Sequence, residues 1–289
     1  MSVSTNTTGQ NDKTAQQVVH DLTFSPIVST LARWGYAARG VIYFAIGLSA
    51  ILLAFGSGGK ATDQQGAIAT IGNQPAGRIL LGLVLIGLIS YSLWGLIRAL
   101  LNPLHKGNDL KGIAERIGFF FSAIAYALLV LPTYAIIIGG AQPARTGVQG
   151  AQTRHYVSDL LGLPLGQWLV GAVGILVILV GLFQVYQAIR PDFDRQIHLS
   201  KLTPSQANSV KRIGRLGTIA RGIVFALIGM YLTIAAYTAN SYQVKGFDAT
   251  LIALLYQPYG RWLMGIIALG LIALGIYSLC AALFFRLGE

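Results

Sequence analysis

Six windows of the chain are apolar almost without interruption: 36–55, 77–101, 117–139, 166–189, 217–239 and 261–285. About 20 mostly apolar residues cross ~30 Å of hydrocarbon as a helix. Lipid offers no partner to open backbone groups, so helix is the form such windows must take. The ten-residue alternation of a membrane barrel is absent. The pattern predicts an all-α polytopic membrane protein with six transmembrane helices.

The windows are not independent of one another. GYAARGVIYFAIG at 35–47 returns as GTIARGIVFALIG at 217–229 and, loosely, as GFFFSAIAYALLV at 118–130. QPAGRILLG at 74–82 returns as QPYGRWLMG at 257–265 and as LPLGQWLVG at 163–171. The glycines that open the second helices, Gly77, Gly166 and Gly260, lie 89 and 94 residues apart. The chain therefore reads as a polar tail (1–25), a first two-helix unit (26–103), a divergent second unit (104–191), a basic linker (192–212) and a third unit (213–289). Each unit returns to its starting side, so the three are parallel repeats, unlike the inverted repeats of many transporters. A pseudo-threefold ring is the simplest arrangement, and a line of three units is the other.

These two phrases resemble the repeat of a bacterial integral membrane family known only as a domain of unknown function, DUF1206, whose members carry three two-helix units. The resemblance spans about residues 31–287. In the second unit Ser122 and Gln167 stand where arginines are expected. It implies the fold and a bacterial inner-membrane location, and brings no substrate, cofactor or catalytic residue.

Composition agrees with the pattern. The chain is 54% hydrophobic and 11% charged, with 35 glycines among 289 residues, and its mean hydropathy is +0.62. Soluble domains carry roughly 25% charged residues. With an even number of spans both termini share one side, and that side carries 15 of the 21 lysines and arginines. The other side has Lys60, Arg78, Arg145, Arg154, Lys245 and Arg261. The positive-inside rule makes the richer side cytoplasmic. The net charge of +11 is then mostly topology. It points to anionic lipid headgroups on the cytoplasmic side and not to nucleic acid. A membrane protein partner is the other expected company. The single cysteine, Cys280, excludes an internal disulfide.

Several residues carry candidate roles. Gly40 and Gly47, like Gly222 and Gly229, are seven apart on one helix face, where they admit a neighbouring helix or contact a ligand. Arg39 and Arg221 sit one turn inside the cytoplasmic boundary. Arg78, Arg261 and Trp262 sit at the outer one, and all five suit boundary anchoring or headgroup binding. Proline and glycine before each second helix, followed by arginine in units 1 and 3, read as an entry cassette in which glycine permits the bend. Short apolar segments precede it: DQQGAIATI, SDLLGLPL and DATLIALLY. Asp63, Asp159 and Asp248 near their starts are expected to cap helices, making surface-lying helices or an outer lid over the bundle. Pro132 is expected to kink the third span.

Absences narrow the chemistry. All ten acids fall outside the six windows, which argues against a proton-coupled pump. The four histidines lie in tail or loops, so paired intramembrane haem ligands are missing. There is no HExxH, P-loop or paired-acid motif, and no cofactor or metal is implied. The expected function is a non-enzymatic scaffold, accessory subunit or lipid-binding protein. A channel or facilitator for a small neutral or apolar solute is the alternative, and an enzyme built on Arg154, His155 and Asp159 ranks last.

Overall fold

The computed structural model describes residues 26–102, 109–139, 148–190 and 202–284; the tail 1–25 and residues 192–201 of the basic linker lie outside them. Among the described residues, six segments are long and apolar enough to cross a membrane. They are α1 (Pro26–Ala54), α3 (Gly77–Leu100), the broken pair α4 (Leu110–Leu128) and α5 (Val130–Ile137), α7 (Gly166–Ile189), α8 (Pro204–Tyr237) and α10 (Gly260–Phe284). Three shorter helices, α2 (Gln64–Gly72), α6 (Val148–Leu161) and α9 (Phe247–Leu255), each precede a second span. The end of the bundle they occupy is called the lid end here, and the opposite one the basic end.

Three helices, α1, α4 and α8, start well before their apolar windows. Thr203 and Gln206 form a capping box with Pro204 at the first helical position, so α8 begins three turns early, inside the stretch read as linker. Asp109 accepts from the Gly112 amide at 3.1 Å and starts α4 at Leu110. That brings Glu115 into the third span, where it is buried, so one acid does lie within a span. The kink at Pro132 takes the form of a break at Leu129, between α4 and α5. Proline has no amide to offer the Leu128 carbonyl, and the helix restarts one residue later.

Packing follows one rule. The first span of each unit lies against the second span of another: α1 on α10, α8 on α7 and α4 on α3. Unit 1 thus touches unit 3, which excludes a line and gives a pseudo-threefold ring. The same crossing is built three times. Gly40 meets the Gly275 carbonyl, and Gly222 meets the Gly181 carbonyl. At the third crossing the corresponding pair is Ala123 and Ser92, and the Ser92 hydroxyl donates to the Ala123 carbonyl at 3.0 Å. One step further along, Gly47 faces Ile272 as Gly229 faces Ile178. All four predicted packing glycines sit in these inter-unit contacts. With no hydrophobic drive between helices in lipid, close backbone approach and dispersion hold the ring. Within units, α1 packs on α3 and α8 on α10. The spans of unit 2, α4 and α7, are not among the extensively packed pairs of described residues.

The entry cassette works differently from the sequence reading. The residue in the left-handed region is not the glycine but the one before it: Ala76 (φ 62°), Leu165 (φ 65°) and Tyr259 (φ 60°). Each turn is closed by the glycine amide donating three residues back, to Gln74, Leu163 and Gln257 at 2.7, 2.9 and 2.8 Å. Proline then falls at the second turn position and the left-handed residue at the third, the arrangement of a type II turn. The glycine serves proximity. A Cβ on Gly77, Gly166 or Gly260 would collide with the carbonyl oxygen of Gly72, Leu160 or Leu255, at the end of the preceding short helix. The cassette clamps the short helix onto the span that follows it.

Candidate functional site

At mid-depth, three first-span positions that match in the repeat hold Tyr43, Tyr126 and Phe225. Tyr43 and Tyr126 are buried, and Phe225 packs against the same core. Around them gather three arginines. Arg39 Nη1 donates to the Tyr91 hydroxyl at 3.1 Å, and its guanidinium carbon lies 5.8 Å from the rings of both Tyr43 and Tyr91. Arg221 lies 5.9 Å from the Tyr43 ring, and its Nε donates to Gln184 Oε1 at 2.6 Å. Repeat-equivalent arginines from units 1 and 3 thus meet on one tyrosine. Both turn toward the interior of the bundle, and the third equivalent, Ser122, cannot join them.

Arg98, in the last turn of α3, completes the group. It is only 4% exposed and stands 4.3 Å from Phe119, 5.4 Å from Trp94 and 5.5 Å from Tyr91. Aromatic faces attract a guanidinium, by ~2 kcal/mol or more when desolvated, but they do not satisfy its N–H groups. Arg98 Nε and Nη2, and Arg39 Nε, are buried without hydrogen-bond partners. Arginine cannot shed its proton, so the cluster concentrates fixed positive charge. Glu115 is buried one turn before Phe119 on α4, and accepts from Gln187 Nε2 at 3.0 Å, tying α4 to α7 at the basic end.

The remaining sequence candidates scatter. Arg78, Arg261 and Trp262 are exposed at the lid ends of α3 and α10, with Trp262 edge-on to Phe55 at 6.2 Å. The three aspartates are not counterparts of one another. Asp63 is the N-cap of α2, accepting from the Gly66 amide at 2.7 Å. Asp248 is the second residue of α9, whose cap is Gly246. Asp159 falls in the last turn of α6 and caps nothing; it pairs with His155 Nδ1 at 3.3 Å, with the two side chains 65% and 77% exposed. Arg154 turns instead to the Tyr242 ring, 5.8 Å away, so the residues proposed for an enzyme do not converge. The two buried lid helices, α2 and α9, face a surface-lying α6.

Beneath the lids lies a cavity of about 230 Å³. Gln64, Thr153 and Phe247, the matching repeat positions of α2, α6 and α9, all line it. The cavity therefore sits on the repeat axis, and Phe225 lies at its deep end, seven residues below Leu232.

A ring of three parallel helix hairpins, closed by one crossing repeated in each unit, defines a polytopic membrane protein of repeat type. The chain belongs to the family described as Domain of Unknown Function (DUF1206), which matches three times, over residues 34–102, 117–190 and 216–284. It is 33% identical over 259 residues to an uncharacterised protein, YxxB, of Bacillus subtilis (strain 168), covering 90% of this chain and 92% of that one. No solved structure matches.

Proposed function

We propose that this protein acts without catalysis, as a membrane scaffold or accessory subunit that binds an anionic lipid headgroup at its basic end, on the cytoplasmic side. The observation that carries the reading is Arg98: buried to 4% exposure, two of its nitrogens unpartnered, and Arg39 near the same Tyr91 ring. A buried donor left without a partner costs about 1–3 kcal/mol, and more on a charged group. A phosphate oxygen would relieve that cost with charge-assisted bonds. The test compares thermal unfolding in nanodiscs of phosphatidylcholine with and without phosphatidylglycerol. The midpoint is expected to rise with phosphatidylglycerol in the native protein and not in Arg98→Met. Equal midpoints in both lipids, or an equal rise in the variant, would overturn the reading.

The axial cavity favours a second reading, a facilitator for a small neutral solute. Phe225, at the foot of the cavity, would then be the constriction, and Phe225→Ala would raise solute flux in liposomes. No flux in either protein would remove this reading.

A further inference from the structure

One stripe of α8 differs from its counterparts in the other two units. Arg221, Phe225 and Ile228 match Arg39, Tyr43 and Ile46 of α1 and Ser122, Tyr126 and Leu129 of α4 in the repeat. Tyr43, Ile46, Tyr126 and Leu129 are buried, none above 7% exposed. Phe225 and Ile228 are only partly buried. The fold supplies a reason. α7, which packs on α8, lacks extensive packing against α4 among the described residues, and the Gln187–Glu115 hydrogen bond ties those two at the basic end. The wall beside this stripe is the loosest in the ring.

The stripe is charged at one end and apolar along the rest. Arg221 is partly buried, and among the described residues it makes one hydrogen bond, from Nε to Gln184 Oε1 at 2.6 Å. Its two terminal nitrogens are not sealed in, in contrast to Nη2 of Arg98. Ser122, shorter than the arginines of units 1 and 3, leaves room at the same level of α4. Beyond Phe225 and Ile228 the stripe continues to Leu232, and all three line the cavity of about 230 Å³ under the lids. Arg221 and Leu232 are eleven residues apart, about 16 Å along the helix. That is close to half of the ~30 Å hydrocarbon core, the reach of one acyl chain.

We propose that this stripe holds a free long-chain fatty acid, taken sideways from the bilayer between α4 and α7. Its carboxylate accepts from the two terminal nitrogens of Arg221, the paired geometry that a guanidinium offers. Its chain lies along Phe225 and Ile228, and its methyl end reaches Leu232 in the cavity. Lipid is as apolar as the slot, so chain burial contributes little affinity. The charge pair supplies most of it, and the single slot selects one chain. A phospholipid fits worse, because its glycerol and second chain would have to follow the head to Arg221, one turn inside the boundary. The site does not rest on the headgroup reading, which concerns Arg98.

The experiment is electron paramagnetic resonance of the full chain in phosphatidylcholine nanodiscs, with stearate carrying a nitroxide midway along its chain. An immobilised component is expected that saturates with added probe and is displaced by unlabelled palmitate. The methyl ester of the same probe, which lacks the charge, should show no such component. Arg221→Gln should weaken binding about tenfold. Ile228→Trp fills the slot, leaves Arg221 in place and should abolish the component. Should Arg221→Gln fail to fold, the ester and Ile228→Trp carry the test. The proposal is overturned by no immobilised component, by one unchanged in the variants, or by one equally strong with spin-labelled phosphatidylcholine or phosphatidylglycerol. The headgroup reading survives that failure, because its own test uses unfolding in a different lipid and Arg98.

Discussion

Unit 2 and its neighbours share one plan and carry it out differently. In units 1 and 3 the short helix is buried: Ile68 and Leu251 are almost fully enclosed and Asp63 is 1% exposed. The two spans also pack on each other. In unit 2 the short helix α6 lies mostly exposed, and of the apolar stretches of its spans only 22% and 17% of residues are buried, against 39–44% elsewhere. Yet unit 2 makes the same inter-unit crossings. The ring is therefore specified by the contacts between units, and packing within a hairpin is a separate property that a unit can lose. That agrees with where the sequence degrades: unit 2 drops the Arg-Gly pair for Ser122 and Ala123, and it inserts Pro132.

The largest expected effect separates those contacts from exposed glycines. Gly181→Leu would drive a side chain into the Ala226 amide and the Gly222 carbonyl, both 2.6 Å from a Cβ. Overpacking costs about 1–3 kcal/mol and more where backbone must move, so the α7–α8 crossing should open and the thermal midpoint fall sharply. Gly118→Leu, in open space, should leave the midpoint unchanged. Equal effects would mean that the crossings do not hold the ring.

Next comes the cassette. Tyr259→Gly relieves a left-handed strain of about 1–2 kcal/mol but loosens the unfolded chain. The net gain in stability should be below 1 kcal/mol, and a similar gain at Leu165 would show that unit 2 keeps the same turn strain. Ser92→Ala removes the bond to the Ala123 carbonyl, the substitute for the glycine pair in the third crossing. Hydrogen bonds between membrane helices average ~0.6 kcal/mol, so the loss should be of that order in reversible unfolding. A loss several times larger would make this bond the main tie of unit 2. Smallest of all is His155→Ala. An exposed i,i+4 pair contributes about 0.3–0.5 kcal/mol, and neither fold nor ligand response should change measurably.

The two candidate sites were unequally legible. Arg39 and Arg221 were visible as matching arginines inside an apolar repeat. Their convergence on Tyr43 was not, because it depends on which helices become neighbours. Arg98 read as an ordinary basic helix end, and only its burial against Phe119 of another unit sets it apart. Glu115 was lost at a helix boundary, where Lys111 and Arg116 made the stretch look like a loop. The three aspartates misled because each stands near a similar apolar run, while the turn that fixes the register lies at the other end of the short helix. Counting back from Pro75, Pro164 and Pro258 would have matched Asp248 with Gln65 and Arg154 instead.

Six spans, three parallel units and the glycines that let them touch were determined by the sequence alone. Lipid requires continuous apolar helices, and a repeated phrase implies a repeated contact. Closure into a ring, the sparse packing between α4 and α7, the clash that demands glycine after a left-handed residue, and the charges brought together at the basic end were decided by tertiary structure. Each depends on side chains from different units meeting across the axis, and no periodicity along one chain records which face of a helix finds which partner.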